Sequence, residues 1–144
     1  MLAPGDSHLK HYTLESGHTV PDILPEAPEF QALPPVLTTG ALLALMEWAC
    51  IEHITPELAD GQITLGVGMN LTHDAPCTTG AELRISCEVQ NSTERKLTWQ
   101  VEVRAADDTL LGTGVHTRAV VARSSFVQAV NSQVDRIGGD TISG

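Results

Sequence analysis

The chain has 144 residues, 42% of them apolar, which suits one domain spanning 1–144 with a real core and excludes wholesale disorder. Eight Lys and Arg against eighteen Asp and Glu give a formal charge of -10, which argues against nucleic acid or an anionic membrane as a partner. The longest apolar run is well short of the roughly 20 residues of a membrane span, and residues 1–6 do not read as a signal peptide, so the expected location is cytoplasmic.

Residues 8–14, with Leu9, His11 and Tyr12 among polar neighbours, form a weak first strand. Strand geometry puts His8 and His11 on opposite faces, so no metal site is expected there. Residues 16–35 hold Pro21, Pro25, Pro28, Pro34 and Pro35, with Val20, Ile23, Leu24, Phe30 and Leu33 between them. So many prolines disfavour a regular element, and so many apolar side chains disfavour a solvated linker. The segment reads as a lid-like loop lying over something, either as packing or as part of a pocket.

Residues 36–54 are the centre of the chain. Thr38 and Thr39 supply capping hydroxyls, Thr55 and Pro56 close the segment, and between Gly40 and Ile51 every residue except Glu47 is apolar or glycine. A helix apolar all round is normally enclosed on all sides, where a carboxylate is costly unless paired, hydrogen-bonded or at a cleft.

Residues 63–72 alternate Ile63, Leu65, Val67, Met69 and Leu71 with polar residues and glycines, which predicts a strand with one buried face and His73 at its buried end. Two more strands alternate through Leu83, Ile85, Cys87 and Val89 and through Leu97, Trp99, Val101 and Val103. A last strand, residues 110–122, carries Gly112, Gly114, His116 and Arg118 on one face; its glycines predict a bend or a close approach. Val127, Val130, Val134 and Ile137 share one stripe of a short final helix, and 138–144 reads as a flexible tail. Cys50, Cys77 and Cys87 lack CxxC spacing and are expected reduced, with Cys50 and Cys87 in the core.

The order of elements gives an α+β fold in which an antiparallel sheet of about five strands wraps one helix, leaving edges and apolar faces that favour a dimer. Within it, Thr39, Glu47, His73, His116 and Arg118 are the polar groups that need a reason. In a continuous helix, Thr39 and Glu47 are about 12 Å apart along the axis and about 80° apart around it. They flank a groove, where a substrate carbonyl can lie between them or either can act with a partner chain. Thr39 alone reads as an N-cap, because helix starts select threonine for that task, and Glu47 alone can be read as an ion pair with Arg118 or His73. The functional alternative for Glu47 is a carboxylate in a partly desolvated pocket, where it becomes more basic and can attack a carbonyl or activate water. No GxSxG elbow and no HExxH spacing is present.

Three blocks, Thr-Gly-Ala-Leu-Leu-Ala-Leu-Met-Glu-Trp-Ala-Cys from Thr39, Leu-Gly-Val-Gly-Met-Asn-Leu-Thr-His from Leu65, and Gly-Thr-Gly-Val-His-Thr-Arg-Ala-Val from Gly112, resemble the fluoroacetyl-CoA thioesterase family of hotdog-fold proteins. The resemblance runs from about Gly5 through the helix containing Phe126. It implies a hotdog fold, a dimer, and catalytic roles for Thr39, Glu47 and His73, with Gly66 and Arg118 at the pocket. It also implies apolar pocket positions at Val20, Ile23 and Phe30, and places Leu33 where the fluoroacetyl-specific enzyme has a gating phenylalanine. The expected activity is hydrolysis of a short or medium acyl-CoA, fluoroacetyl-CoA among the candidates, without a cofactor because CoA belongs to the substrate. The alternative is a non-catalytic acyl-CoA binding or sensing module. A hotdog dehydratase is disfavoured by the lack of a dehydratase-like Asp/His pairing.

Overall fold

A computed structural model describes all 144 residues. Five strands, β1 (Ser7–Thr13), β2 (Gln62–His73), β3 (Glu82–Ser92), β4 (Lys96–Ala105) and β5 (Leu110–Ala122), form one antiparallel sheet in the order β1-β3-β4-β5-β2. The helices are α1 (Val20–Ile23), α2 (Pro28–Gln31), α3 (Thr39–Ile54) and α4 (Arg123–Ile137). The sheet curls around α3, and Leu83, Ile85, Cys87 and Val89 of β3 and Leu97, Trp99, Val101 and Val103 of β4 meet Leu42, Met46, Ala49 and Cys50 in a single core. Cys50 and Cys87 are buried free thiols. The expected α+β architecture is present.

The N-terminus of α3 is set by Thr38, whose Oγ1 accepts from Ala41 N at 2.9 Å. Such a cap contributes about 1 kcal/mol. Because Thr38 fills it, the hydroxyl of Thr39 is free for another partner. At the other end Thr55 Oγ1 donates to Ile51 O and a 3₁₀ turn, Thr55–Glu57, carries Pro56.

Three expectations need correction. First, α3 is not enclosed all round: Ala44 and Trp48 are exposed while Ala41, Leu42, Leu45, Met46, Ala49 and Cys50 are buried, because one sheet covers only one side of a helix. Second, residues 63–72 do not keep a single buried face. The pairing of β2 with β5 shifts between Gly66 and Gly68, leaving Val67 as an extra residue. One inserted residue reverses the alternation. Thr64 and Gly66 therefore face α3 before the bulge, and Met69 and Leu71 pack against the core after it.

Third, the prolines of the lid do not prevent helical turns. Pro21 and Pro28 sit in the first turns of α1 and α2, where a missing N–H costs nothing. The segment is fastened by the Thr19–Leu37 bridge, by Val20 N to Val36 O at 2.9 Å and by the Tyr12 Oη to His18 Nδ1 contact at 2.9 Å. The short final helix is present as α4, and residues after it pack back on it, with the Asn131 amide donating to Ile142 O at 2.9 Å and accepting from Ile142 N at 2.8 Å.

On β5 the two glycines permit a close approach. A Cβ on Gly112 would lie 2.8 Å from Leu42 Cδ2 and 2.6 Å from Thr72 O, and one on Gly114 would lie 3.1 Å from Met46 Sδ. Without side chains there, α3 settles against β5, which brings Glu47 down to the level of Arg118.

Candidate active site

Two polar clusters flank the outer side of α3. At its N-terminus the hydroxyl freed by the Thr38 cap is used: Thr39 Oγ1 lies 2.9 Å from His73 Nδ1. His73 Nε2 is buried and has no hydrogen-bond partner. The bulge in β2 is what turns His73 toward the helix, through the same reversal that turns Met69 and Leu71.

Two turns further along, Glu47 Oε2 accepts from Arg118 Nη1 at 2.7 Å. The Arg118 guanidinium is buried and fixed on three sides. Its Nε donates to Thr64 Oγ1 at 2.9 Å, its Nη2 donates to Thr64 O at 3.0 Å, and its Nη1 lies 3.2 Å from His116 Nε2. His116 Nε2 is 4.0 Å from Glu47 Oε2, and burial, more than any neighbouring charge, holds the His116 pKa below that of an ordinary histidine. Gly66 lies under this pair, with no room for a side chain beside Glu47 Oε2. The ion-pair reading of Glu47 with Arg118 is thus realised, and the one with His73 is not.

Beside Thr39 the lid encloses a cavity of ≈ 460 Å³, lined by Val20, Ile23, Leu24, Phe30, Thr38, Thr39 and Gly40. Val20, Ile23 and Phe30, the apolar positions that the resemblance implies for the pocket, are among the lining residues. Leu24 is an addition that apolar character alone did not single out among its neighbours. Leu33 does not line the cavity and is 53% exposed. It follows α2 on the outside of the lid, so its expected pocket role is not realised in the single chain.

The sequence pattern described as fluoroacetyl-CoA-specific thioesterase matches residues 22–124. The chain belongs to that family. A fluoroacetyl-CoA thioesterase of Streptantibioticus cattleyicolor is 33% identical over 122 residues, covering 85% of this chain and 87% of that protein. Among solved structures, the fluoroacetyl-CoA thioesterase FlK superposes with a TM-score of 0.88 at 31% identity over 92% of this chain and 98% of its own. A thioesterase superfamily member from Thermus thermophilus superposes at 0.83 with 19% identity, covering 93% and 94% of the two chains, a likeness of fold.

For a member of this thioesterase family the two clusters offer complementary chemistry. Thr39 lines the apolar cavity and His73 is bonded to it from behind, a hydroxyl and an imidazole suited to bonding a carbonyl oxygen and moving a proton. Glu47 presents a carboxylate with one oxygen held by Arg118. Of the two residues that hold Arg118, His116 is one of the polar groups on the Gly112, Gly114 and Arg118 face of the last strand, whereas Thr64 lies on the face that strict alternation leaves to solvent and is brought to Arg118 by the bulge.

Proposed function

We propose that this protein is an acyl-CoA thioesterase that converts a short or medium acyl-CoA and water into the free acid and CoA. The observation that carries the reading is the Thr39–His73 contact at 2.9 Å beside the lid cavity, with Glu47 on the same helix. The acyl chain lies against Val20, Ile23, Leu24 and Phe30. The cavity of ≈ 460 Å³ has room for a short or medium acyl chain.

Glu47 acts as nucleophile or as general base. As nucleophile it attacks the thioester carbonyl, the C–S bond breaks, the CoA sulfur leaves with its electron pair and is protonated, and water then cleaves the resulting anhydride. As base it takes a proton from the water that attacks the carbonyl. Neither route needs a cofactor or a metal, CoA being part of the substrate. We place the reaction in the cytoplasm, where acyl-CoA is made and used.

The proposal includes a homodimer with a shared site. β2 is a 12-residue strand with one edge unpaired, and α3 exposes Ala44 and Trp48 on its outer side, beside the half-buried Leu43. Edges and apolar stripes of this kind are normally covered. The small side chain of Ala44 lets a second helix come close. Two α3 helices packed antiparallel and crossing at Ala44 put Glu47 of one copy within about one helical turn, along the axis, of Thr39 of the other. Within one chain the same pair is about 12 Å apart along the axis.

The test is free-thiol release from a panel of acyl-CoAs, fluoroacetyl-CoA included, by wild type and Glu47→Ala. Release that drops on the order of a hundredfold or more in the variant supports the reading. Tight binding of every acyl-CoA without release overturns it in favour of a binding module. Mixing Thr39→Ala and Glu47→Ala subunits then tests the shared site: random re-pairing should restore about a quarter of wild-type activity, since half the dimers are mixed and each has one intact site. No restoration puts all three residues of a site in one chain.

A further inference from the structure

His116 lies outside the Thr39, Glu47 and His73 set, yet it is buried in direct contact with the group that holds Glu47. Its Nδ1 is 2.8 Å from Gly68 O. A carbonyl only accepts, so Nδ1 carries the hydrogen, and in the neutral ring Nε2 is then an acceptor. The only donor at hydrogen-bond distance from Nε2 is Arg118 Nη1, at 3.2 Å. That nitrogen has two hydrogens, and its second partner is Glu47 Oε2 at 2.7 Å.

We infer that His116 is the positioning residue for the Glu47 carboxylate: its neutral Nε2 takes one Arg118 Nη1 hydrogen, so that the other is directed to Glu47 Oε2 and Oε1 is left free to react. The inference rests on the reading of Glu47 as the reacting carboxylate. Thr64 fixes the rest of the guanidinium through Nε and Nη2, so His116 is what distinguishes the two Nη1 hydrogens.

The arrangement works in one protonation state. A proton on Nε2 turns acceptor into donor and sets two positive groups 3.2 Å apart. Arg118 does not give up a proton, so the guanidinium must move, and the imidazolium draws Glu47 Oε2, 4.0 Å away, to itself. The other groups facing the ring are the Gly68 carbonyl from β2 and, from β4, the uncharged Trp99, stacked at 6.5 Å and 24°. Glu47 is the charge from α3 and Arg118 the charge from β5. Burial keeps His116 neutral to lower pH than a free histidine.

Two variants separate the ring's two bonds. In His116→Asn the amide nitrogen takes the place of Nδ1 and keeps the Gly68 bond but has no acceptor for Arg118. In His116→Gln the amide oxygen takes the place of Nε2 and keeps that acceptor. On the acyl-CoA that wild type cleaves best, His116→Asn should lose about 10- to 100-fold in kcat with KM within about threefold. His116→Gln should stay within about fivefold of wild type, with the fall in kcat on the acid side of the profile displaced to lower pH. Imidazole ¹⁵N shifts of wild type at pH 7 should report a neutral ring protonated on Nδ1, a measurement that no folding defect can disturb. Wild-type kcat and pH profile in His116→Asn, equal losses in both variants, or a ring protonated on Nε2 would each overturn the role. Glu47→Gln in the same assay divides the two failures: if it is inactive while His116→Asn is unimpaired, only the positioning role falls, and if it is active, the reading of Glu47 falls with it.

Discussion

Gly66 and Glu47 are in a contact that admits no side chain: a Cβ on Gly66 would lie 2.6 Å from Glu47 Oε2 and 3.3 Å from Arg118 Nη1. The bulge after Gly66 puts that backbone against the carboxylate, so the glycine is required by what approaches it and not by its own dihedral angles. Gly66→Ala should therefore keep the fold, because Glu47 can swing toward the open side of α3, but lose the Arg118 bond. A charge-assisted hydrogen bond of this kind contributes about 1.5–3 kcal/mol to the fold, so the melting temperature should fall by several degrees, and kcat should fall roughly 10- to 100-fold as Glu47 leaves its position. Thiol-release kinetics with a thermal melt checks it, and unchanged kcat would refute the crowding argument.

Phe30 and Leu33, three residues apart, should behave differently in the acyl pocket. Phe30 lines the cavity and Leu33 is on the outside of the lid. Removing the Phe30 ring should weaken binding of a medium-chain acyl-CoA by about 1–2 kcal/mol, a rise in KM of roughly 5- to 30-fold. Leu33→Ala should leave KM within about twofold. A larger effect at Leu33 than at Phe30 would mean that the lid closes differently over substrate.

Much of this arrangement was legible in the residues, and where it was not the reasons are local. The helix, the succession of strands along the chain and the glycine face of β5 follow from periodicity. Glu47 stood out because a lone carboxylate among apolar and glycine neighbours needs an explanation. What misled was the bulge at Val67, since Gly66-Val67-Gly68 preserves perfect alternation on paper while the backbone inserts an extra residue. That hid Thr64. Thr39 was ambiguous because two adjacent threonines compete for one cap, and only the Ala41 N to Thr38 Oγ1 bond decides between them. Leu33 was placed by resemblance alone, which gives a position in the chain but not the side of the lid.

Gly112 and Gly68 give a contrast in stability. A Cβ at Gly112 would meet Thr72 O at 2.6 Å and Leu42 Cδ2 at 2.8 Å, while nothing lies within 4 Å of one at Gly68. Gly112→Ala should destabilise by about 1–3 kcal/mol through overpacking between β5 and α3. Gly68→Ala should be neutral or slightly stabilising, because an exposed strand residue gains from a smaller unfolded-state entropy. Urea midpoints of the two variants check the pair, and equal midpoints would contradict the packing described for α3.

Acid should weaken the fold before its carboxylates titrate. Trp99 Nε1 donates to His53 Nδ1 at 3.1 Å, which requires a bare nitrogen there, and His8 stacks on the same ring at 5.5 Å. Burial first, and the charge of His8 second, lower the His53 pKa from its ordinary 6.5 against the opposing pull of Asp6 and Glu57. His116 is lowered as well, mainly by burial. With the folded pKa below the unfolded one, the unfolded chain binds the extra proton in the interval between them. Stability from these rings is thus fully present above about pH 6.5 and is lost as pH falls from there to the folded values. Glu52, lowered chiefly by its bonds to His8 and Lys10, adds a loss only below the ordinary carboxylate range. The urea midpoint should therefore drop between pH 7.5 and 5.5. His53→Gln keeps an acceptor for Trp99 and cannot titrate, so its midpoint should change less over the same interval. An equal change in the variant would place the pH dependence elsewhere.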